Sequence, residues 1–172
     1  TLLIQLKNEN GETIEAFTKK IGFREVEYNN NILTVNGVPV KQNGVNSHMH
    51  DPDHGQAVPL ETRKKDLLIM KQFNINCVRT SHYPPTPEYI EMADELGMYV
   101  VDEVGDEAHA NTQLSEDPDW TEMYKDRSRK LVYRDRNHPS VIVWSAGNES
   151  GSGENVKAVI ETGKEIDSSR PA

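Results

Sequence analysis

The stretch His138-Pro139-Ser140-Val141-Ile142-Val143-Trp144-Ser145-Ala146-Gly147-Asn148-Glu149-Ser150-Gly151 carries the reading on which the fold turns. An apolar strand, Val141–Ser145, runs into a polar stretch that ends in a carboxylate. Val156, Val159 and Ile160 then mark an amphipathic helix reaching about Ile166. Strand, polar loop, helix is one βα unit, and three more precede it. The first pairs a strand at about Val40–Asn46 with a helix near Thr62–Phe73. The second pairs Cys77–Thr80 with a helix opened by Thr86 as N-cap and Pro87 at the first helical position, and closed by Gly97. The third strand, Tyr99–Asp102, is an apolar run with little alternation, as expected when both faces are covered. Its helix lies near Pro118–Arg136, where Trp120, Met123, Tyr124, Leu131 and Val132 share a face.

Successive βα units imply parallel strands joined by right-handed crossovers. Four of them fit either an open sheet with helices on both faces or half of an eight-stranded barrel. A dinucleotide-binding sheet is disfavoured, because no G-x-G-x-x-G follows the first strand, and there is no P-loop. The placement of the chemistry favours the barrel. His48 and His50, His82, Glu107 and His109, and Asn148 and Glu149 each follow the C-terminal end of a strand. That end of a (β/α) barrel bears its active site.

Residues 1–40 read differently. Leu2, Ile4 and Leu6 alternate with polar residues, Asn10-Gly11 and Asn36-Gly37 are hairpin signals, and a turn at Asn29–Asn31 separates Tyr28 from Ile32–Val35. These strands predict the edge of an antiparallel sheet that cannot bury a core by itself.

Composition narrows the function classes. The 172 residues carry 19 Lys and Arg against 28 Asp and Glu, a net charge of −9, which argues against a nucleic-acid or anionic-membrane surface. Hydrophobic residues are 35% and aromatics 6%, low for a self-contained core of this size, hinting that part of the burial partner is missing. No apolar run approaches the roughly 20 residues of a membrane span. Thr1–Lys7 lacks a signal-peptide pattern, although one could lie upstream, which leaves the compartment open between cytoplasm and periplasm. The single cysteine, Cys77, excludes an internal disulfide and reads as a small core residue.

Glu149, at a strand terminus among polar groups, reads either as a proton donor or as a helix-start carboxylate favoured by the helix dipole. Glu107-x-His109 beside Glu149 reads either as a mixed oxygen and nitrogen site for a divalent metal or as a solvated acidic loop, since Asp102, Glu103 and Asp106 crowd the same stretch. On the residues alone the acidic loop is favoured. Zinc is disfavoured for want of H-E-x-x-H or paired cysteines. His48 and His82 could hydrogen-bond a polyhydroxylated ligand, whereas His138, before Pro139 in a turn, reads as structural.

These residues resemble glycoside hydrolase family 2, the family of bacterial β-galactosidases and β-glucuronidases. The resemblance runs from about Phe17 to the C-terminus. It rests on Gly22-Phe23-Arg24-Glu25-Val26, Asn36-Gly37-x-Pro39, Gly44-Val45-Asn46-x-His48-x-His50, Val78-Arg79-Thr80-Ser81-His82-Tyr83-Pro84 and Tyr99-Val100-Val101-Asp102-Glu103. Arg134-Asp135-Arg136-Asn137-His138-Pro139-Ser140-Val141-Ile142-x-Trp144-Ser145 completes it and leads into Gly147-Asn148-Glu149-Ser150-Gly151.

The resemblance implies that residues 1–35 are the closing strands of an immunoglobulin-like sandwich and 36–172 the first four βα units of a TIM barrel. It implies a retaining exo-glycosidase acting on terminal β-galactosides, with Glu149 as acid/base. Asn148, His82 and His48 would bind the sugar, and Glu107, His109 and Glu149 would hold magnesium. Glu-x-His and Asn-Glu-Ser favour the galactosidase branch over a β-glucuronidase or β-mannosidase. A carbohydrate-binding module without turnover is the alternative of another class. Ser47 and Met49 depart from the Arg and Glu usual around the first histidine. The family's nucleophile lies on a seventh strand, so this chain alone is expected to be inactive. Its exposed half-barrel edges are expected to favour self-association.

Overall fold

The computed structural model describes residues 1–172. Its centre is a four-stranded parallel sheet in the order β6-β7-β8-β9, formed by Gly44–Ser47, Cys77–Thr80, Tyr99–Glu103 and Val141–Ser145. Helices α1 (Leu60–Gln72), α2 (Pro87–Leu96) and α3 (Thr121–Asp135) connect the strands, and α4 (Glu154–Ile166) follows the last. The fold is therefore α/β, with every crossover helical.

The helices cover one face of the sheet. Val78, Val100, Val141 and Trp144 pack there in one cluster with Leu67 of α1, Tyr89, Ile90 and Ala93 of α2, Tyr124, Leu131 and Val132 of α3 and Val159 of α4. The opposite face, with Arg79, Val101, Val143 and Ser145, is only half-buried. Within these 172 residues the strands thus alternate in burial, contrary to the two-sided coverage expected from the apolar run at Tyr99–Asp102. No helix is long and apolar enough to cross a membrane.

Several element boundaries follow the sequence signals. Pro87 opens α2, and Gly97 ends it at φ +64°, a left-handed cap that a side chain would strain. Thr86 occupies the N-cap position but does not cap: its hydroxyl accepts from the Arg63 guanidinium of α1. The first parallel strand starts at Gly44, not near Val40, because two asparagines take over the preceding backbone. Asn76 accepts from the Asn43 N–H and donates to the Lys41 carbonyl, while Asn43 donates to the Asn74 carbonyl, at 2.8–2.9 Å. Trp120 lies in a 3-10 turn, Pro118–Trp120, ahead of α3 and is exposed, so it is not on the buried helical face. Asp117 caps that turn by accepting from the Asp119 N–H.

The N-terminal strands form two sheets, not the edge of one. β1 (Leu2–Lys7) and β2 (Thr13–Lys19) make an antiparallel hairpin, and β3 (Val26–Asn29), β4 (Ile32–Val35) and β5 (Val38–Pro39) a separate meander. Every residue of β1 and β2 is exposed, so the hairpin has no core of its own here. Arg24 ties this region to the parallel sheet, donating from Nε and a terminal nitrogen to the Val141 carbonyl at 3.2 and 2.9 Å.

Candidate active site

The C-terminal ends of β7, β8 and β9 carry a connected set of polar side chains. Glu103, the last residue of β8, is completely buried and pairs in register with Ser145 of β9. One carboxylate oxygen accepts from Arg79 Nε and from Ser145 Oγ at 2.7 Å. The other faces His82 Nδ1 at 2.7 Å. His82 meets the ring of His48 edge-on, with centroids 5.2 Å apart. The two histidines read as sugar-binding candidates from different loops are therefore neighbours. His50 is exposed, while His54 is engaged by Asp51 at 2.8 Å within the Asp51–Gly55 turn.

Asn148 joins this cluster to a second one. Its Oδ1 accepts from Arg79 at 3.0 Å, and its Nδ2 donates to Glu107 Oε1 at 3.1 Å. The loop after β9 is held by a bridge between Glu107 and Asn148 and by the Asn148 N–H donating to the Asp106 carbonyl at 2.8 Å. Gly147, at φ +146°, permits that approach, since a Cβ there would lie 2.5 Å from the Asp106 carbonyl oxygen. The chain then places Glu149 at φ +47°, an uncommon conformation for a residue with a Cβ.

Glu149 is exposed, and its Oε2 lies 2.9 Å from His109 Nε2, while His109 Nδ1 is 3.9 Å from Glu107 Oε1. Two carboxylates and an imidazole therefore converge from two loops, a donor set that suits a hard divalent cation. As they stand, no three His, Cys, Asp or Glu side chains have a geometry that would hold a metal ion. All three side chains are exposed. Burial pushes the neighbouring Asp106 carboxyl up.

The residues read as structural keep that character. His138 is buried with Nδ1 2.6 Å from Asp94 Oδ2. Cys77 is buried in its strand, its thiol pushed up to about 11 by burial. Met49 is buried in the core, so a residue that departs from the family pattern contributes packing. What sequence reasoning missed is Glu103. The apolar run reads as ending at Asp102, which leaves Glu103 among the acidic loop residues, whereas the strand runs through Glu103.

The sequence model of the glycosyl hydrolases family 2 TIM barrel domain matches residues 26–172. A β-galactosidase of Pectobacterium atrosepticum is 45% identical over 172 residues, covering 98% of this chain and 16% of that protein. A β-galactosidase of Vibrio vulnificus is 43% identical over 173 residues, covering 99% and 17%. The chain thus spans about one sixth of the length of these relatives. Among solved structures, the β-glucuronidase of Ruminococcus gnavus bound to D-glucuronic acid superimposes with a TM-score of 0.86 at 30% identity, covering 96% of this chain and 29% of the other.

Proposed function

Given that the chain belongs to glycosyl hydrolase family 2, we propose that it is the acid/base-bearing part of a retaining β-galactosidase. Residues 36–172 would be the first four βα units of a catalytic TIM barrel, and 1–35 the closing strands of an immunoglobulin-like domain before it. The observation that carries the reading is the Asn148-Glu149 pair at the C-terminal end of β9, with Glu149 directed at His109. Identity of 43–45% to β-galactosidases along the whole chain, against 29–31% to the glucuronidase structures, favours a galactoside. The high TM-scores of those structures support the barrel and keep a β-glucuronidase as the second reading.

Glu149 protonates the departing glycosidic oxygen, while a carboxylate supplied from elsewhere in the protein attacks the anomeric carbon. Glu149 then takes a proton from the water that releases the sugar. In retaining enzymes the two carboxyls stand roughly 5–5.5 Å apart. Asn148, held between Arg79 and Glu107, is placed to bind a sugar hydroxyl, with His82 and His48 on the adjoining side. Glu107, His109 and Glu149 would hold magnesium, which when bound supplies positive charge beside the proton donor.

Without the second carboxylate, residues 1–172 alone are inactive in this proposal. β6 presents an open strand edge, and that of β9 is only partly taken up, by Arg24 on the Val141 carbonyl and Pro171 on the Trp144 N–H, so copies of the isolated segment would pair. A strict monomer by light scattering at high concentration would count against that.

The test uses the full-length protein on an aryl β-galactoside and the matching glucuronide, beside Glu149→Gln. Galactoside turnover that falls by about three orders of magnitude or more in the variant supports the reading. Turnover of the glucuronide alone keeps the family and replaces the substrate. Sugar binding without any turnover overturns the enzyme assignment.

A further inference from the structure

Glu103 sits on the sheet face that no helix covers, yet its side chain has no exposure at all. What encloses it is Arg79 and Ser145, which donate to Oε2, and the His82 ring, whose Nδ1 faces Oε1 at 2.7 Å. Its own N–H donates to Thr80 Oγ1 at 2.9 Å, which fixes the backbone from which the carboxylate projects. We infer that Glu103 is a positioning residue of the sugar site: it fixes His82 with its proton on Nδ1, leaving Nε2 to accept from a sugar hydroxyl, and it holds Arg79 against Asn148. The inference rests on the sugar-site reading above and adds to it the direction of one hydrogen bond.

The chemistry follows from which groups can donate. A guanidinium can only donate, and its Nε–H points at Oε2 together with the Ser145 hydroxyl. The other oxygen is left to accept, so the imidazole nitrogen facing it carries the hydrogen. Neutral imidazole has one N–H, and the opposite nitrogen is then a lone-pair acceptor. Arg79 also spends a terminal nitrogen on Asn148 Oδ1, which turns the Asn148 amide so that Nδ2 faces Glu107. One buried carboxylate therefore sets the orientation of two sugar-facing side chains. A buried ion pair that merely held β7 to β8 would need neither His82 nor Asn148.

Glu103→Gln separates the two roles. Its amide oxygen stays with Arg79, so its NH₂ must face His82 Nδ1, which becomes an acceptor and sends the ring hydrogen to Nε2. The full-length protein, Glu103→Gln, His82→Ala and the double variant are compared on an aryl β-galactoside and its monodeoxy analogues, with thermal unfolding alongside. The expected result is a loss of about 100-fold in kcat/KM for Glu103→Gln. That loss vanishes on the same deoxy analogue for which His82→Ala costs nothing, and the double variant loses no more than the worse single one. A loss that is uniform over the analogues, or that adds to that of His82→Ala, overturns the inference.

The ring ¹⁵N shifts of His82 in the wild-type protein, assigned by their disappearance in His82→Ala, read the tautomer with no dependence on turnover or on the folding of Glu103→Gln. Hydrogen on Nδ1 alone supports the inference, and hydrogen on Nε2, with or without one on Nδ1, overturns it. A wild type that turns over no aryl glycoside overturns the proposed function, and the ¹⁵N shifts then decide this inference separately.

Discussion

Asp102 and Asp135 bury both of their carboxyl groups completely beneath the helix-covered face of the sheet, close enough for the charge of Asp135 to act on Asp102. Arg134 clamps Asp135 with two hydrogen bonds, at 2.8 and 2.6 Å, and Thr80 donates to Asp102 Oδ1 at 3.3 Å. Burial, and then the charge of Asp135, push the Asp102 carboxyl well above the usual carboxylate range. Asp102 Oδ2 has no hydrogen-bond donor in the structure, so a carboxyl that keeps its hydrogen to higher pH leaves no charged oxygen unpaired there.

Asp102→Asn replaces that hydrogen by a permanent amide donor. With its folded value raised, wild-type Asp102 binds more protons folded than unfolded, so stability declines as pH rises from the ordinary carboxylate value through the raised one. The variant lacks this decline. Its Tm should lie roughly 2–4 °C above wild type on the alkaline side, with the two curves converging in acid. Thermal unfolding across pH checks it, and parallel curves would remove the retained hydrogen from the account.

Asp94 works with the opposite sign. Burial lifts its carboxyl, but the hydrogen bonds with His138 and with the Ser140 N–H outweigh burial and hold it below the ordinary value. Stability from this group is present above its unfolded value and lost as pH falls through the depressed folded one. Asp94→Asn should cost about 1–3 kcal/mol at neutral pH, with the deficit shrinking in acid. Denaturant unfolding at pH 7 and pH 3 measures both, and an equal deficit at the two values would contradict it.

Comparing these groups shows where the sequence was readable. Three parallel strands, the limits of α2 and the nearness of Glu149 to His109 follow from local signals: an apolar run, Pro87 and Gly97, and ligand-type residues at successive strand ends. The start of β6 does not, because the clamp between Asn43 and Asn76 spans 33 residues of sequence. The N-terminal hairpin and meander share one alternating pattern, which cannot say whether the strands pair within one sheet or two. Glu103 looks like any acidic loop residue until Arg79, His82 and Ser145 close over it. Asn155 is a similar case: polar in a helix, yet buried and donating to the Leu114 and Asp117 carbonyls at 2.8 and 2.7 Å.

Gly147 is where backbone geometry reaches the proposed acid. At φ +146° it occupies a region nearly closed to other residues, and an alanine Cβ would press on the Asp106 carbonyl that accepts from the Asn148 N–H. Gly147→Ala must therefore move the turn that aims Asn148 and Glu149. The expected result is a stability loss of about 1–3 kcal/mol and a fall of about 100-fold or more in kcat/KM on an aryl β-galactoside. Full activity in a folded Gly147→Ala protein would mean that the turn does not position Glu149.

The proposed magnesium ligands lie on the loops that this turn brings together. His109 lies 2.9 Å from Glu149 and 3.9 Å from Glu107, so the three donors are near one another but engaged among themselves. Binding an ion would replace the contact between His109 and Glu149 with contacts to the metal, which the exposure of these side chains allows. Chelation should then lower kcat, and added magnesium should restore it. His109→Ala should raise the magnesium concentration for half-maximal activity by about tenfold or more without abolishing turnover at saturation, because Glu149 still carries the proton. Calorimetric titration of the chelated protein with magnesium reads the affinity directly. A wild type that binds no magnesium, and whose rate is indifferent to chelator, would leave His109 as a hydrogen-bond partner of Glu149 and nothing more.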